Sequence, residues 1–210
     1  IFPKHKGFLW FNNNLSSSIS VADSAGHLFP SLSRRNDGFS VIDFKRKSFS
    51  VEFHLHPDSE YTYDQIIAQK LSVDKTQGFS IFLTQNESDS TKSDLCFVVS
   101  SGSETYISAS APINKSNWNH VTCVFDREND LNKAKIILSG TTQYTSERAF
   151  DFGNMNIQTQ PLSIGSGSNH NFGNDSSNYN FINTLSGAMD EFRVWHNALD
   201  EKMITKFMNN

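Results

Sequence analysis

Between Ser48 and Pro57 the chain alternates strictly: Phe49, Val51, Phe53 and Leu55 are apolar, while Ser50, Glu52, His54 and His56 are polar. Side chains two apart on an extended strand share a face, so this period predicts a strand with one buried and one exposed side, ended by Pro57. Similar short runs predict strands over 39–44, 78–84, 95–100, 105–109, 121–126, 134–139, 162–165 and 188–196. The intervening stretches 86–94, 101–103 and 169–180 are rich in turn-forming residues. Many short strands, polar turns and no βαβ spacing predict an all-β fold, an antiparallel β-sandwich. Helical spacing appears over 199–208, where Leu199, Met203, Ile204, Phe207 and Met208 fall beside Asp200, Glu201 and Lys202. Asp200 lies close to the helix start, where its charge is favourable, and the short C-terminal helix is expected to pack on the sandwich.

Applied to 188–196, period two puts Asp190, Phe192, Val194 and His196 on one side and Met189, Glu191, Arg193 and Trp195 on the other. Met189, Phe192 and Val194 then do not share a face. Asp190 falls among apolar residues, where a carboxylate needs a partner.

Composition sharpens this picture. The hydrophobic fraction is 37%, yet there are 18 Phe, 5 Tyr and 3 Trp, so the core is expected to consist of aromatic rings spaced by polar residues. A length of 210 residues fits one domain over 1–210. The net charge is −4 and the cations are scattered, with a short run at Lys45, Arg46 and Lys47, which argues against nucleic-acid binding by a basic surface. No apolar run approaches the roughly 18–20 residues of a membrane span, so no membrane insertion is expected. The opening IFPKHKGF lacks a signal-peptide core and an initiator Met, and reads as the start of a processed or excised piece. Cys96 and Cys123 lie in predicted strands; they are either two small buried hydrophobes or, if those strands are neighbours, one bridge.

Five segments carry a family resemblance. FSVIDFKRKSFSVEFHLHP (39–57), WNHVTCVFD (118–126), AKIILSGT (134–141), PLSIGSG (161–167) and LSGAMDEFRVWHNALDEKMITKF (185–207) together resemble the laminin-G-like, concanavalin A-like jelly roll. Gly187, Asp190, Glu191, Arg193, Trp195 and Leu199 match its terminal motif, whereas Ser139 replaces its usual acidic residue. The resemblance spans roughly residues 8–208. It implies a recognition module that holds a glycan or a surface protein, at an extracellular or particle surface, without catalysis. It also makes Asp190 the first candidate for a Ca²⁺ ligand, with a turn or backbone hydrogen bond as the alternative.

Sugar recognition needs an aromatic platform flanked by amides and carboxylates, and the Asn/Ser-rich loop 163–180 offers Asn169, Asn171, Asp175 and Tyr179. The other reading is a structural domain, as in a virion or surface-layer decoration, acting as a homo-oligomer or part of a larger assembly. A glycoside hydrolase is the outlier. It needs paired carboxylates, and Glu87 with Asp89 lie in a turn-like segment without a third acid. GSGS at 165–168 is not a nucleophile elbow. Glu52, His54 and His56 share a strand face and would form a Zn²⁺ site if a neighbouring strand supplied a ligand; the alternative is a polar outer face. His120 is expected to make a structural hydrogen bond.

Overall fold

The computed structural model describes residues 7–14, 17–21, 42–61, 63–127, 131–157, 160–173 and 183–208. In chain order its elements are β1 (Leu9–Asn12), β2 (Ile19–Val21), β3 (Phe49–Pro57), β4 (Gln65–Leu71), β5 (Gln77–Gln85), β6 (Lys92–Ser101), β7 (Tyr106–Asn114), β8 (Asn119–Asp126), β9 (Asn132–Leu138), β10 (Thr141–Arg148), β11 (Leu162–Ile164), β12 (Ser186–Trp195) and α1 (Glu201–Met208). They form two six-stranded sheets, β1-β12-β3-β8-β9-β10 and β2-β11-β4-β5-β6-β7, a jelly-roll sandwich. Neighbouring strands in both sheets run antiparallel. The last strand, β12, lies between β1 and β3, so the C-terminal segment closes the first sheet.

The alternation in β3 does what its period requires. Phe49, Val51, Phe53 and Leu55 all face the core. Phe49 is central: its ring centroid lies 4.1 Å from Phe44, 5.3 Å from Phe79 and 5.7 Å from Phe125. Such pairs add about 0.5–1.5 kcal/mol each beyond the area they bury. Cys123 faces this core from the first sheet, while Cys96 belongs to a small cluster on the outer side of the second. Both are free thiols, which overturns the bridge reading.

Besides β1 and β2, which no predicted run covers, four segments depart from the sequence expectation. Residues 42–44 form no strand; Ile42–Phe44 is turn and coil that drops Phe44 into the core, and 39–41 lie outside the described residues. β4 was not expected, because a bulge between Ile66 and Ala68 breaks its alternation and all seven residues are buried. Even Lys70 is 0% exposed, its Nζ donating to the Gln160 carbonyl at 2.5 Å. β10 was missed for the opposite reason: TTQYTSER is polar and largely exposed, an edge strand without an apolar face.

The fourth departure is in β12. A bulge lies between Asp190 and Arg193, with Glu191 at φ 52°. The extra residue shifts the phase, so Met189, Phe192 and Val194 all pack on the main core. Phe192 stacks on Phe53 at 6.0 Å. Asp190 is therefore not among those apolar side chains; it pairs in register with His54 on the outer face. The motif glycine also has a reason. Gly187 has φ 140°, and an added Cβ would collide with the His56 carbonyl oxygen.

Candidate functional site

The outer face of the first sheet collects most of the outward polar and aromatic side chains picked out above. Register sets the arrangement. In β3, Ser50 lies opposite Val124 and Trp195, Glu52 opposite Thr122 and Arg193, His54 opposite His120 and Asp190, and His56 opposite Ala188, which itself faces Trp10. The face divides into three parts along the strands.

At the Ser50 end the helix covers the sheet. Asp200 Oδ1 accepts the Met203 N–H at 2.7 Å, capping α1, and Leu199 and Ile204 pack on Val124 and Ile137 with Trp195 beside them. Ser50 Oγ donates to the Asn197 carbonyl at 2.9 Å and accepts the Leu199 N–H at 3.0 Å, which sets the chain's approach to the helix.

In the middle lies a sealed polar cluster. Glu52 is 2% exposed. One of its oxygens bonds His120 Nε2 at 2.9 Å, and the other accepts Trp195 Nε1–H at 2.9 Å with Arg193 at 3.7 Å. An ionised carboxylate only accepts, so His120 Nε2 carries the proton of its bond. Burial alone pushes the Glu52 carboxyl up. The hydrogen bonds from His120 and Trp195, with the charges of His120 and Arg193, outweigh it and hold the pKa below the usual value. The structural hydrogen bond expected of His120 is present.

At the His56 end the surface is aromatic. Phe8, Leu9 and Trp10 are 55%, 47% and 60% exposed. The Phe8 ring lies 6.5 Å from Trp10 and 5.9 Å from Trp118, which meets His56 edge-on at 5.5 Å. Sequence reasoning missed this patch, in which Phe8 immediately precedes the edge strand that carries Trp10.

The predicted residues fall elsewhere or play other parts. The described part of the Asn/Ser-rich loop lies over the second sheet. His170 is buried there, its Nδ1 2.9 Å from Ser80 Oγ and its Nε2 2.6 Å from Ser100 Oγ. Burial lowers its pKa to about 3, so it is neutral. Phe172 anchors the loop on Ile66, Phe82, Cys96 and Val98. Asn171 Nδ2 donates to the Asp74 carbonyl at 3.2 Å, whereas Asn169 is exposed. Asp175 and Tyr179 lie outside the described residues.

Asp190 Oδ1 accepts the Glu191 N–H at 2.8 Å, the backbone hydrogen bond weighed as the alternative to a metal. Calcium takes 6–8 oxygen ligands. The groups nearest in register are the His54 imidazole and Arg193, and the Glu191 carboxylate is paired with Arg193 at 2.7 Å. This donor set does not fit a Ca²⁺ site. Among the described residues no group of three or more His, Cys, Asp or Glu side chains is placed to hold a metal ion. Glu52, His54 and His56 do share a face, but Glu52 is bound by His120 and Trp195 and His56 packs on Trp118. Asp89 is committed to its turn, accepting from Thr91 and pairing with Lys92 at 3.1 Å; the Thr91 hydrogen bonds and Lys92 hold its pKa at about 2.

Two six-stranded antiparallel sheets, closed by a bulged terminal strand and a capping helix, define a lectin-type jelly roll. The chain belongs to the concanavalin A-like lectin/glucanases superfamily, whose laminin G model matches residues 35–205. No curated protein matches it. Among solved structures, the binding domain of Paraclostridial Mosquitocidal Protein 1 is similar with a TM-score of 0.64 at 14% identity, over 100% of this chain and 44% of that one. The binding domain of botulinum neurotoxin DC in complex with SialylT gives 0.58 at 14% identity, over 97% and 44%. Domains LG4-5 of the mouse laminin alpha1 chain give 0.57 at 13% identity, over 94% and 44%. At these identities the likeness is one of fold, and this chain spans less than half the length of each.

Proposed function

We propose that this chain is a non-catalytic recognition module that holds carbohydrate against the Phe8, Trp10, Trp118 and His56 surface. The observation that carries the reading is the exposure of Trp10, 60%, beside Phe8 in a contiguous ring cluster. A soluble domain leaves such rings in water when they have a partner to meet, and the apolar face of a sugar stacks on them. His56 and the exposed Asn12 supply polar groups for hydroxyls. Two of the similar structures are binding domains, which supports recognition as the role. A hydrolase would need two accessible carboxylates. Glu52, buried with both oxygens hydrogen-bonded, does not serve.

A second reading is assembly, with a surface protein or another copy of the chain as partner at an extracellular or particle surface. It is favoured by β1, which carries the exposed Trp10 and pairs only with β12 among the described residues, leaving an edge for strand addition. A glycan array run on wild type and Trp10→Ala, each with and without Ca²⁺, separates the two. Saturable binding lost in Trp10→Ala supports the carbohydrate reading, and loss on chelation would bring Asp190 back as a Ca²⁺ ligand. Silence across the array, with concentration-dependent sedimentation abolished by Trp10→Ala, would replace it with assembly.

A further inference from the structure

A hollow of about 490 Å³ opens away from the aromatic surface, where the end of β8, the 44–47 turn and the 149–153 segment meet. Arg46, Arg127, Asn132, Phe150, Asp151 and Phe152 line it. Its volume lies in the range of small-ligand pockets.

Arg127 follows β8 directly and is held on several sides. Its Nη1 donates to the Lys45 carbonyl at 3.1 Å and its Nη2 to the Gly153 carbonyl at 2.8 Å. The guanidinium carbon lies 5.4 Å from the Phe152 ring centroid and 5.8 Å from that of Phe125. The backbone N–H of Arg127 donates to Ser48 Oγ at 2.9 Å, so the side chain also starts from a fixed point. Its remaining N–H donors are thereby presented in one orientation. Arg46 brings a second guanidinium, steadied by its Nε–H on Asn154 Oδ1 at 3.1 Å.

Neither guanidinium forms an ion pair with a carboxylate among the described residues. Asp151, the acid in the lining, accepts the Gly153 N–H at 2.9 Å and holds the turn. Burial, and then the charge of Arg46, weaken the proton affinity of Arg127, with Asp151 opposing. Two like charges converge on one partly desolvated hollow, and an anion would relieve both the repulsion and the lost hydration. Phe150, stacked on Phe152 at 5.8 Å, forms an apolar wall beside the cations.

We propose that this hollow binds a phosphate or sulfate monoester, its oxygens clamped by Arg46 and Arg127 and its apolar or aryl group lying on Phe150. Guanidinium donors match tetrahedral oxyanions in pairs, and the adjoining phenyl ring favours an ester over a free ion. The site shares no residue with the aromatic surface, so its failure and the failure of the carbohydrate reading are separate events.

Isothermal titration calorimetry at low ionic strength, with inorganic phosphate, inorganic sulfate, phenyl phosphate and phenyl sulfate as probes, tests it. One-to-one saturable binding of a phenyl ester, tighter than its inorganic ion, is expected, and whichever ester binds more tightly identifies the group. Arg46→Gln, at an exposed position, should weaken binding about tenfold or more. Asp151→Asn should tighten it by removing the acid that faces the oxyanion. Arg127→Lys should weaken it as well; if that variant melts early because the Lys45 and Gly153 carbonyls lose their donor, Arg46→Gln still decides. Absence of saturable heat for all four probes up to about 10 mM would overturn the proposal. So would inorganic ions binding as tightly as their phenyl esters, or equal weakening by Arg46→Gln and by the remote Lys202→Gln, which would mark diffuse surface charge.

Discussion

Replacing Glu52 with Gln keeps the shape of the side chain and removes its charge, which isolates what the sealed cluster contributes. In the wild type both oxygens accept, from His120 Nε2–H and Trp195 Nε1–H at 2.9 Å each. A Gln amide has one oxygen, so it can satisfy one of these donors while its NH₂ turns toward the other, donor against donor. A hydrogen bond to a charged group is worth about 1.5–3 kcal/mol, and a buried donor left facing a donor adds part of its desolvation penalty. The Arg193 contact at 3.7 Å adds little, because its side chain is 40% exposed. The expected loss is therefore about 2–4 kcal/mol. In a chain of this size that lowers Tm by about 5–15 °C.

Urea unfolding followed by tryptophan fluorescence at pH 7 measures it, with the midpoint falling at unchanged slope. The pH dependence has a definite sign. The folded-state pKa of Glu52 lies below its ordinary value of 4.5, so its contribution is fully present above that value and is lost as pH falls through the folded pKa. The gap between wild type and Glu52→Gln should accordingly narrow in acid below about pH 4.5. A loss under about 0.5 kcal/mol at pH 7, or a gap that widens in acid, would refute the reasoning.

His170 behaves in a parallel way for the opposite reason: its folded pKa of about 3 lies below the ordinary 6.5, so the unfolded chain takes the proton first and stability falls as pH drops from 6.5 toward 3. Between pH 6.5 and 4.5 wild type should lose about 2.5 kcal/mol more than His170→Gln in denaturant titrations, and parallel pH profiles would contradict the buried neutral imidazole. Gly187→Ala forces a Cβ into the His56 carbonyl at φ 140° and should lower stability by about 2 kcal/mol or more; an unchanged urea midpoint would show that the strand relaxes freely. Thiol titration without reductant should find both Cys96 and Cys123 reactive in denaturant and slow in the native protein, where burial pushes both thiols up; no reactive thiol in denaturant would restore the bridge.

Much of the architecture could be read along the chain. β3, β5, β6 and β8 carry continuous apolar faces, and burial of one face is what a period of two encodes. β4 and β12 were harder because a bulge inserts one residue and reverses the phase downstream, a change that a local pattern does not announce. β10 carries no apolar face at all, so it becomes a strand through the backbone hydrogen bonds β9 offers it.

The site was less legible than the fold. His120 was expected to make a structural bond, but its partner Glu52 lies on a strand far away in sequence, and the two meet through the β3–β8 register. Asp190 seemed buried until the bulge turned it outward. Arg46 and Arg127 looked like scattered cations and converge only where three distant segments close on one hollow.

By itself, the sequence determined which residues prefer the interior, that the elements are strands with a final helix, and to which family the chain belongs, because alternation, capping and turn chemistry act over a few residues. The tertiary structure decided the phase of β12, the exposure of Phe8 and Trp10, and the meeting of Arg46 with Arg127. Each depends on register and on edges between strands far apart in the chain, and only the closed sandwich sets those.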